Sequence, residues 1–525
     1  MTSEKKALAW AGLLLSLGAC TTSESLTSSD RHDVGYHYSV NLRRLEQHRL
    51  RVRLAVPPAQ ASQAVFVLPK QVPGIYGALN FGQYVADFAA FDCRNRPLTV
   101  VRQDTNSWVI AEARRLHHLT YTVAATWPQF LTAKGKRPPF YRSAGSSYHP
   151  DSAFVLNYST FVGYLDGQMA QPYNVQFTKP AGFYGASFLT PQPVNDSTDV
   201  VQAPSYPELV DAPVLYARPD TAWLQLGTTK VLVAFYDAAS KQAYAPMLAR
   251  SLRAMLEAQR TYLGGTLPVA KYSFLLYHTT GPMGVKVGDA LEHSHSTMCL
   301  LQSPDLQSAN SFLSDLAAHE FFHIVTPLNI HAEQIEHYNF RQPTFSKHLW
   351  FYEGLTEYET IHLRIREKLG TLPEFLATVA SKAKDMARYD GTLPLTQLSQ
   401  QAQARQDQYY NFYLKGALFN LCLDVKLREL SSGKIGTQEL TRQLLCHYGP
   451  HQPFVDDQFF DVLTQLTYPE MRAFFRDYLE QGRPLPLAET LAKVGLVYDP
   501  ATYKIRVADH LTLTQLTLRQ AWIGQ

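Results

Sequence analysis

The sequence predicts an α+β chain: an antiparallel β-sandwich-like domain followed by a second domain with a β-subdomain and a helical subdomain. Three observations carry this. Between residues 34 and 215, short β-rich runs at 36–42, 50–56, 64–68 and 119–125 are broken by Pro, Gly and Asn. From about residue 216, strands at 230–236 and 272–277 flank a helical stretch at about 243–262. Beyond residue 300 apolar positions recur at helical spacing as far as 497. With 525 residues, 46% hydrophobic and 18% charged, the chain can bury the cores of two or three domains.

Taken in order, the N-terminus reads as an export signal. Lys5 and Lys6 precede an apolar run at 7–17, too short to span a bilayer. Leu17-Gly18-Ala19-Cys20 resembles a bacterial lipobox, which implies lipidation of Cys20. The other reading is an ordinary signal peptide with a coincidental cysteine. Residues 1–20 are thus expected to be a lipoprotein signal peptide, and 21–33 a disordered polar tether. Thr21 is not the aspartate associated with inner-membrane retention. The expected location is therefore exported and lipid-anchored, at the outer membrane facing the periplasm of a Gram-negative bacterium. The domain at 34–215 follows. Its arginines at 43, 44, 49, 51 and 53 alternate with apolar residues from Leu50 to Ala55, as on the wet face of a strand.

The second domain, 216–497, carries the chemistry. His319-Glu320-Phe321-Phe322-His323 places two imidazoles four residues apart, about 6 Å along a helix axis and on one face. Both can reach one zinc ion, with Glu320 turned towards a bound water. Ser308, Asn310 and Ser311 offer N-caps, Phe312, Leu313, Leu316, Ala317, Ile324 and Val325 an apolar stripe, and Pro327 a stop. A catalytic zinc needs a third protein ligand and an open position. Leu349 to Tyr358 reads as the start of a second helix running to about Lys368, and Glu353 is the candidate ligand. Glu357, one turn on, has two readings: a carboxylate accepting the free N–H of a ligating imidazole, or a solvated surface acid. A metzincin arrangement is excluded, because Thr326 and Asn329 stand where it needs Gly and His. His331 and His337 fit no third-ligand spacing and read as loop or satisfied core histidines.

This set implies one mechanism. Zinc lowers the pKa of its water from about 15.7 to around 7 and polarises a substrate carbonyl. Glu320 takes the water proton and passes it to the leaving amine, a role that contributes roughly 10²–10⁴-fold. A donor for the developing oxyanion is still required, and Tyr413 is a candidate among 30 tyrosines.

These segments resemble the glycyl aminopeptidase family, gluzincin metallopeptidases with a thermolysin-like catalytic domain. His319 to His323 and Leu349 to Tyr358 carry the core of the likeness. Tyr413-Leu414-Lys415-Gly416 resembles a segment of that family and of the aminopeptidase N group in which the tyrosine stabilises the tetrahedral intermediate. That role singles out Tyr413. Gly288 to Ser296 resembles the family's Gly-Gly-Leu-Glu-His strand, which implies that Glu292 binds a substrate's free α-amine. Asp289 and Ala290 depart from the two usual glycines, and the His323-to-Glu353 interval, containing Pro343, is longer than thermolysin's and is expected to border the cleft. The resemblance extends to Val72-Pro73-Gly74-Ile75-Tyr76 with Val85 to Phe88 in the N-terminal β-domain, to Ser205–Pro213 at the junction, and to Arg476–Tyr478 through Val494–Leu496. Family members commonly carry a PDZ module near the C-terminus. The 28 residues after Val497 are too few for one, so 498–525 is expected to be a tail.

The sequence therefore predicts a zinc aminopeptidase holding one ion and acting on peptides, with small first residues such as Gly or Ala implied by the resemblance. Two other functions fit less well. A zinc endopeptidase of the same fold would not use Glu292 to capture an amine, and a non-catalytic peptide-binding lipoprotein would have no need of Glu320. A net charge of +3 gives no footprint for nucleic acid. Cys93, Cys299, Cys422 and Cys446 are widely spaced, and nothing in the sequence pairs them.

Overall fold

Alternating burial builds the N-terminal part. In the strand Arg49–Ala55, Leu50, Val52 and Leu54 are buried while the arginines between them point outward. The computed structural model describes residues 35–127, 142–281 and 288–524, with the side chains of 307–312 excepted. The signal peptide, lipobox and tether expected over 1–33 lie outside the described residues. From Gly35 onward the described chain forms one compact unit.

An eight-stranded sheet runs in the order Gln192–Asn195, Thr198–Ala203, Tyr173–Thr178, Tyr36–Asn41, Arg49–Ala55, His118–Ala124, Val85–Phe91, Pro97–Leu98. It is antiparallel except where Tyr36–Asn41 pairs in parallel with Tyr173–Thr178. Sequence periodicity could not show this exception, because a half-buried strand alternates in the same way whichever direction its neighbour runs. A four-stranded sheet, Gln63–Val67 with Ser107–Ala111 at its centre, packs Phe66 and Trp108 against Tyr121 and Phe88 of the large sheet. A second four-stranded sheet includes Ala153–Leu156 and Val214–Ala217. The α+β class predicted from sequence is the one observed.

The next sheet has five strands in the order Thr221–Leu226, Thr229–Asp237, Lys271–Thr279, Ser296–Gln302, Gly288–His293. The three inner strands are parallel, and Gly288–His293 is an antiparallel edge. Its strand Thr229–Asp237 is buried almost without alternation, as expected when both faces are covered. Val231, Val233 and Phe235 meet the helices, whereas Leu232 and Ala234 share a core with Val155 and Leu215 of the preceding sheet.

Six helices matter for the site: α1 (Ala245–Tyr262), α2 (Leu306–Phe322), α3 (Leu349–Arg366), α4 (Leu372–Met386), α5 (Asn411–Leu430) and α6 (Leu513–Ile523). The segment expected to be a tail is instead built into the fold. It forms a hairpin, Leu496–Asp499 with Lys504–Val507, and then α6, begun by a capping box at Thr512 and Gln515. Trp522 is fully buried; its indole N–H donates to Tyr358 Oη at 2.8 Å, and its carbonyl lies 2.8 Å from His362 Nε2. Both partners are on α3, the helix that carries Glu353. Among the described residues the cysteines are unpaired, Cys299 and Cys422 buried, Cys93 and Cys446 exposed. No described helix is long and apolar enough to cross a membrane.

Two stability predictions follow from α3. Trp522→Ala should cost about 3–5 kcal/mol, read as a lower thermal midpoint, because it empties a large buried volume and strips Tyr358 of a donor. Glu359, buried and accepting from Thr441 Oγ1 at 2.9 Å, is pushed by burial from its ordinary 4.5 up to about 8. Since the folded value lies above the unfolded one, its contribution is lost as pH rises between about 5 and 8. Glu359→Gln should remove that part of the decline in a pH series of unfolding midpoints; an unchanged slope would refute the assignment.

Candidate metal centre and peptide cleft

The α-helical pattern of α2 gives way to tighter i to i+3 bonds at its end, with His323 N–H donating to Glu320 O and Ile324 N–H to Phe321 O. His319 and His323 nonetheless lie side by side, ring centres 4.9 Å apart. Each imidazole is oriented through its Nδ1: that of His323 lies 2.9 Å from Thr326 O, that of His319 2.9 Å from Glu357 Oε2. Both Nε2 atoms are thereby turned towards Glu353, whose Oε2 lies 3.6 Å from His319 and 3.9 Å from His323. Of the two readings of Glu357, the structure places it on the imidazole, where Lys382 also pairs with it.

The ligand atoms of His319, His323 and Glu353 lie within 4.8 Å of one another. Atoms bonded to one tetrahedral zinc at about 2.0–2.1 Å stand roughly 3.3 Å apart, so little movement is needed to enclose an ion. Glu353 Oε2 and Glu320 Oε2 are buried without a hydrogen-bond partner. A buried carboxylate oxygen without a donor is costly, and a cation resolves it. The donor set, two nitrogens and one oxygen, suits zinc.

Electrostatics follow from crowding. Burial pushes Glu320 up to about 7, with His319 opposing and Glu353 adding. Burial also raises Glu292 well above its ordinary value, reinforced by Glu353 and Glu320. Glu357 behaves oppositely. Burial would raise it, but Lys382 and His319 hold it well below the ordinary carboxylate range.

Tyr413 sits in the first turn of α5, its ring 5.7 Å from that of His319 and its hydroxyl 3.1 Å from Tyr409 Oη. Lys415 turns away from the cleft and donates to the carbonyls of Gly391 at 2.8 Å and Leu393 at 3.2 Å. Gly416 explains the rest of that segment. A Cβ on Gly354 would lie 2.7 Å from the Gly416 backbone, and one on Gly416 3.0 Å from Gly354 Cα. The pair lets α3 and α5 touch backbone to backbone, which sets Tyr413 beside Glu353.

Glu292 occupies the edge strand, and one carboxylate oxygen lies within 4.8 Å of ligand atoms of Glu320 and His323. Ala290 and Glu292 share one face of the strand, while Asp289, on the other, is buried at the cleft wall and accepts from the Arg142 N–H at 2.7 Å. The cleft has a volume of about 590 Å³ and continues between α2 and α3 past Asp315 and Arg364. His331 pairs with Glu336 at 3.1 Å and lies outside the ligand set. His337 is exposed. Residues that sequence reasoning missed are Lys382, Tyr409 and, from the N-terminal β-rich part, Gly74 and Tyr76. No local pattern could find the last two, because they reach the site from more than 200 positions away.

Comparison with known proteins agrees with this geometry. The Peptidase M61 N-terminal domain model matches residues 37–218, and the M61 glycyl aminopeptidase model matches residues 312–419. The chain belongs to the M61 glycyl aminopeptidase family. It is a metallopeptidase, and the general assignment is zinc aminopeptidase. Among solved structures it is similar to an aminopeptidase N family protein from Idiomarina loihiensis, with 21% identity, TM-score 0.75, and 88% of this chain and 78% of that one covered. It is also similar to the M1 zinc metallopeptidase of Deinococcus radiodurans, with 16% identity, TM-score 0.53, and coverage of 87% and 95%. A mutant of that enzyme bound to a Tyr-Ser-Ala substrate matches with the same identity and TM-score over 86% and 95%. No curated protein sequence matches the chain.

The glycine contact yields a test. Gly354→Ala should separate α3 from α5 and lower kcat at least tenfold, with zinc content by metal analysis retained; normal kcat in a folded variant would remove the contact from the argument.

Proposed function

We propose that the protein removes single N-terminal residues from short peptides, small ones such as Gly or Ala first, with Glu292 holding the α-amine. The observation that carries this reading is the closeness of Glu292 to Glu320 and His323. The α-nitrogen and carbonyl carbon of one residue are two bonds apart, about 2.5 Å. A carboxylate that near to the groups acting on the scissile carbonyl leaves room for one residue between them.

His319, His323 and Glu353 would hold a single zinc ion. When bound, zinc supplies Lewis acidity to the scissile carbonyl and acidity to a water. The chain's own groups do the rest. Glu320, buried and raised into the neutral range, is suited to accept the water proton and return it to the leaving nitrogen. Tyr413 is placed to donate to the carbonyl oxygen as charge develops on it, a neutral donor that leaves the site's charge unchanged. Glu357 keeps His319 in the tautomer that presents Nε2. The alternative of a zinc endopeptidase shares every group except Glu292's role. A non-catalytic peptide binder is disfavoured by Glu320, whose burial would serve no purpose there.

The lipid anchor at Cys20 and an outer-membrane location remain part of this proposal, supported by the basic, apolar and Leu17-Gly18-Ala19-Cys20 segments in series. Labelled palmitate incorporation lost in Cys20→Ala would support it, and unchanged incorporation would refute it.

The decisive experiment pairs free and N-acetylated peptides that differ in first residue. Acetylation should cut turnover at least a hundredfold in the parent. Glu292→Ala should raise KM for free peptides much more than for blocked ones. Glu320→Gln should bind zinc yet lose about 10²-fold or more in kcat. Equal turnover of blocked and free peptides would leave the endopeptidase reading standing.

A further inference from the structure

A second cavity of about 450 Å³ lies beside the first, and three segments pass from one to the other. Along the N-terminal loop, Val72 and Pro73 line the second cavity and Ile75 the cleft, with Gly74 on both. On the edge strand, Ala290 faces the cleft and His293 the second cavity, with Leu291 and Glu292 shared. Across the metal helix, His319 and Glu320 lie on the cleft and Leu328 on the second cavity, with His323 shared. The metal centre therefore sits at a junction between two spaces, closed where Gly74 meets Glu292. The closure is tight: a Cβ on Gly74 would lie 2.5 Å from Glu292 Oε1 and 2.8 Å from Leu291 Cδ1, and Gly74 has φ +78°.

The closing loop is held from outside. Gln406 Nε2 donates to Tyr76 O at 2.6 Å, from a segment 330 residues away. The Tyr76 ring packs between Phe345, 5.8 Å away, and Tyr409, 5.7 Å away. Phe345 belongs to the long interval between His323 and Glu353, and Tyr409 touches the Tyr413 hydroxyl. Two distant stretches of chain, around Phe345 and at 406–409, thus converge on one residue of the N-terminal β-rich part.

We propose that residues 72–76 form a partition that stops a peptide one residue upstream of the scissile bond, cutting it off from the cavity behind, which is the space the N-terminal extension of a longer peptide would need. A volume of 450 Å³ is that of an ordinary ligand pocket. Its walls mix apolar residues, among them Leu189, Val210, Leu328 and Phe340, with acids and imidazoles, His293 facing Asp211 and His331 facing Glu336 within 3.2 Å. Specificity for a free N-terminus then has two sources, attraction of the amine by Glu292 and exclusion of anything longer by the loop at Gly74, which Tyr76 anchors. This inference rests on the aminopeptidase reading.

The test uses the full chain loaded with zinc and a matched pair of peptides, one with a free Ala at its N-terminus and one with acetyl-Ala-Ala preceding the same bond. Tyr76→Ala should raise the ratio of blocked to free cleavage at least tenfold, and Gln406→Ala, outside the cleft, should raise it less but in the same direction. If Tyr76→Ala fails to fold, Gln406→Ala decides. An amine-dependent parent whose folded variants keep the same ratio overturns the partition and leaves the aminopeptidase reading intact. A parent that cleaves both peptides equally overturns both.

Discussion

The backbone contact between Gly354 and Gly416 is the constraint on which the site's geometry depends. Glu353 stands immediately before one glycine, and Tyr413 lies three residues before the other. Neither side chain chooses its own place; the crossing of α3 and α5 puts them there. Any side chain at either glycine would meet backbone within 3.0 Å, and backbone has no rotamer with which to yield. The crossing is fixed again from behind, where Tyr358 and His362 on α3 hold Trp522 of α6. The C-terminal helix thereby belongs to the support of the metal centre, although none of its residues lines the cleft.

Charge supplies the second constraint. Glu292, Glu320 and Glu353 converge: burial raises Glu292 and Glu320, and Glu353 adds to both, while against burial the His319 and His323 imidazoles hold Glu353 below its ordinary value. Such a set is poorly stable by itself and well suited to cations: a divalent ion at Glu353, an ammonium group at Glu292 and a transferred proton at Glu320. Glu357 is exempt because Lys382 neutralises it, and it can therefore orient His319 as a permanent anion. Two glutamates one helical turn apart are thus set to different tasks by what lies opposite them.

How much of this was legible in sequence varied with how local the signal was. The metal helix was legible in the spacing of His319, His323 and the apolar stripe, because an α-helix fixes which residues share a face; Glu353 was a candidate from the separate segment Leu349 to Tyr358. The strand Thr229–Asp237 was readable from its unbroken apolar run, a consequence of being covered on both sides. Lys415, singled out only as part of a motif, turned out to pin the loop at Gly391 and Leu393. The parallel pairing of Tyr36–Asn41 with Tyr173–Thr178 was not readable, since a strand's own alternation does not record its neighbour's direction. The residues after Val497 looked like a tail because hairpin and helix are short; their burial comes from α3 and α5, which the local sequence does not reveal. Gly74 and Tyr76 were visible only as part of a likeness, and their place against Glu292 required the fold.

That last case bears on why an N-terminal β-rich part accompanies the catalytic helices at all. The residues proposed as zinc ligands, base and oxyanion donor all lie on α2 and the turn after it, α3 and α5, so the proposed chemistry needs nothing from residues before 216. What those helices cannot supply is an end to the cleft. A peptide lying along the edge strand Gly288–His293 would run on past Glu292 into the second cavity. A wall has to come from elsewhere, rigid enough to resist the binding energy of a longer peptide. A loop held in a large sheet assembly and tied down by Gln406, Phe345 and Tyr409 meets that requirement better than a mobile lid would. The division of labour is then physical: helices place the charged groups, and the β-rich part limits length by exclusion. Changes to residues 72–76 would alter which peptides enter, while the groups that act on the bond stay where α3 and α5 hold them.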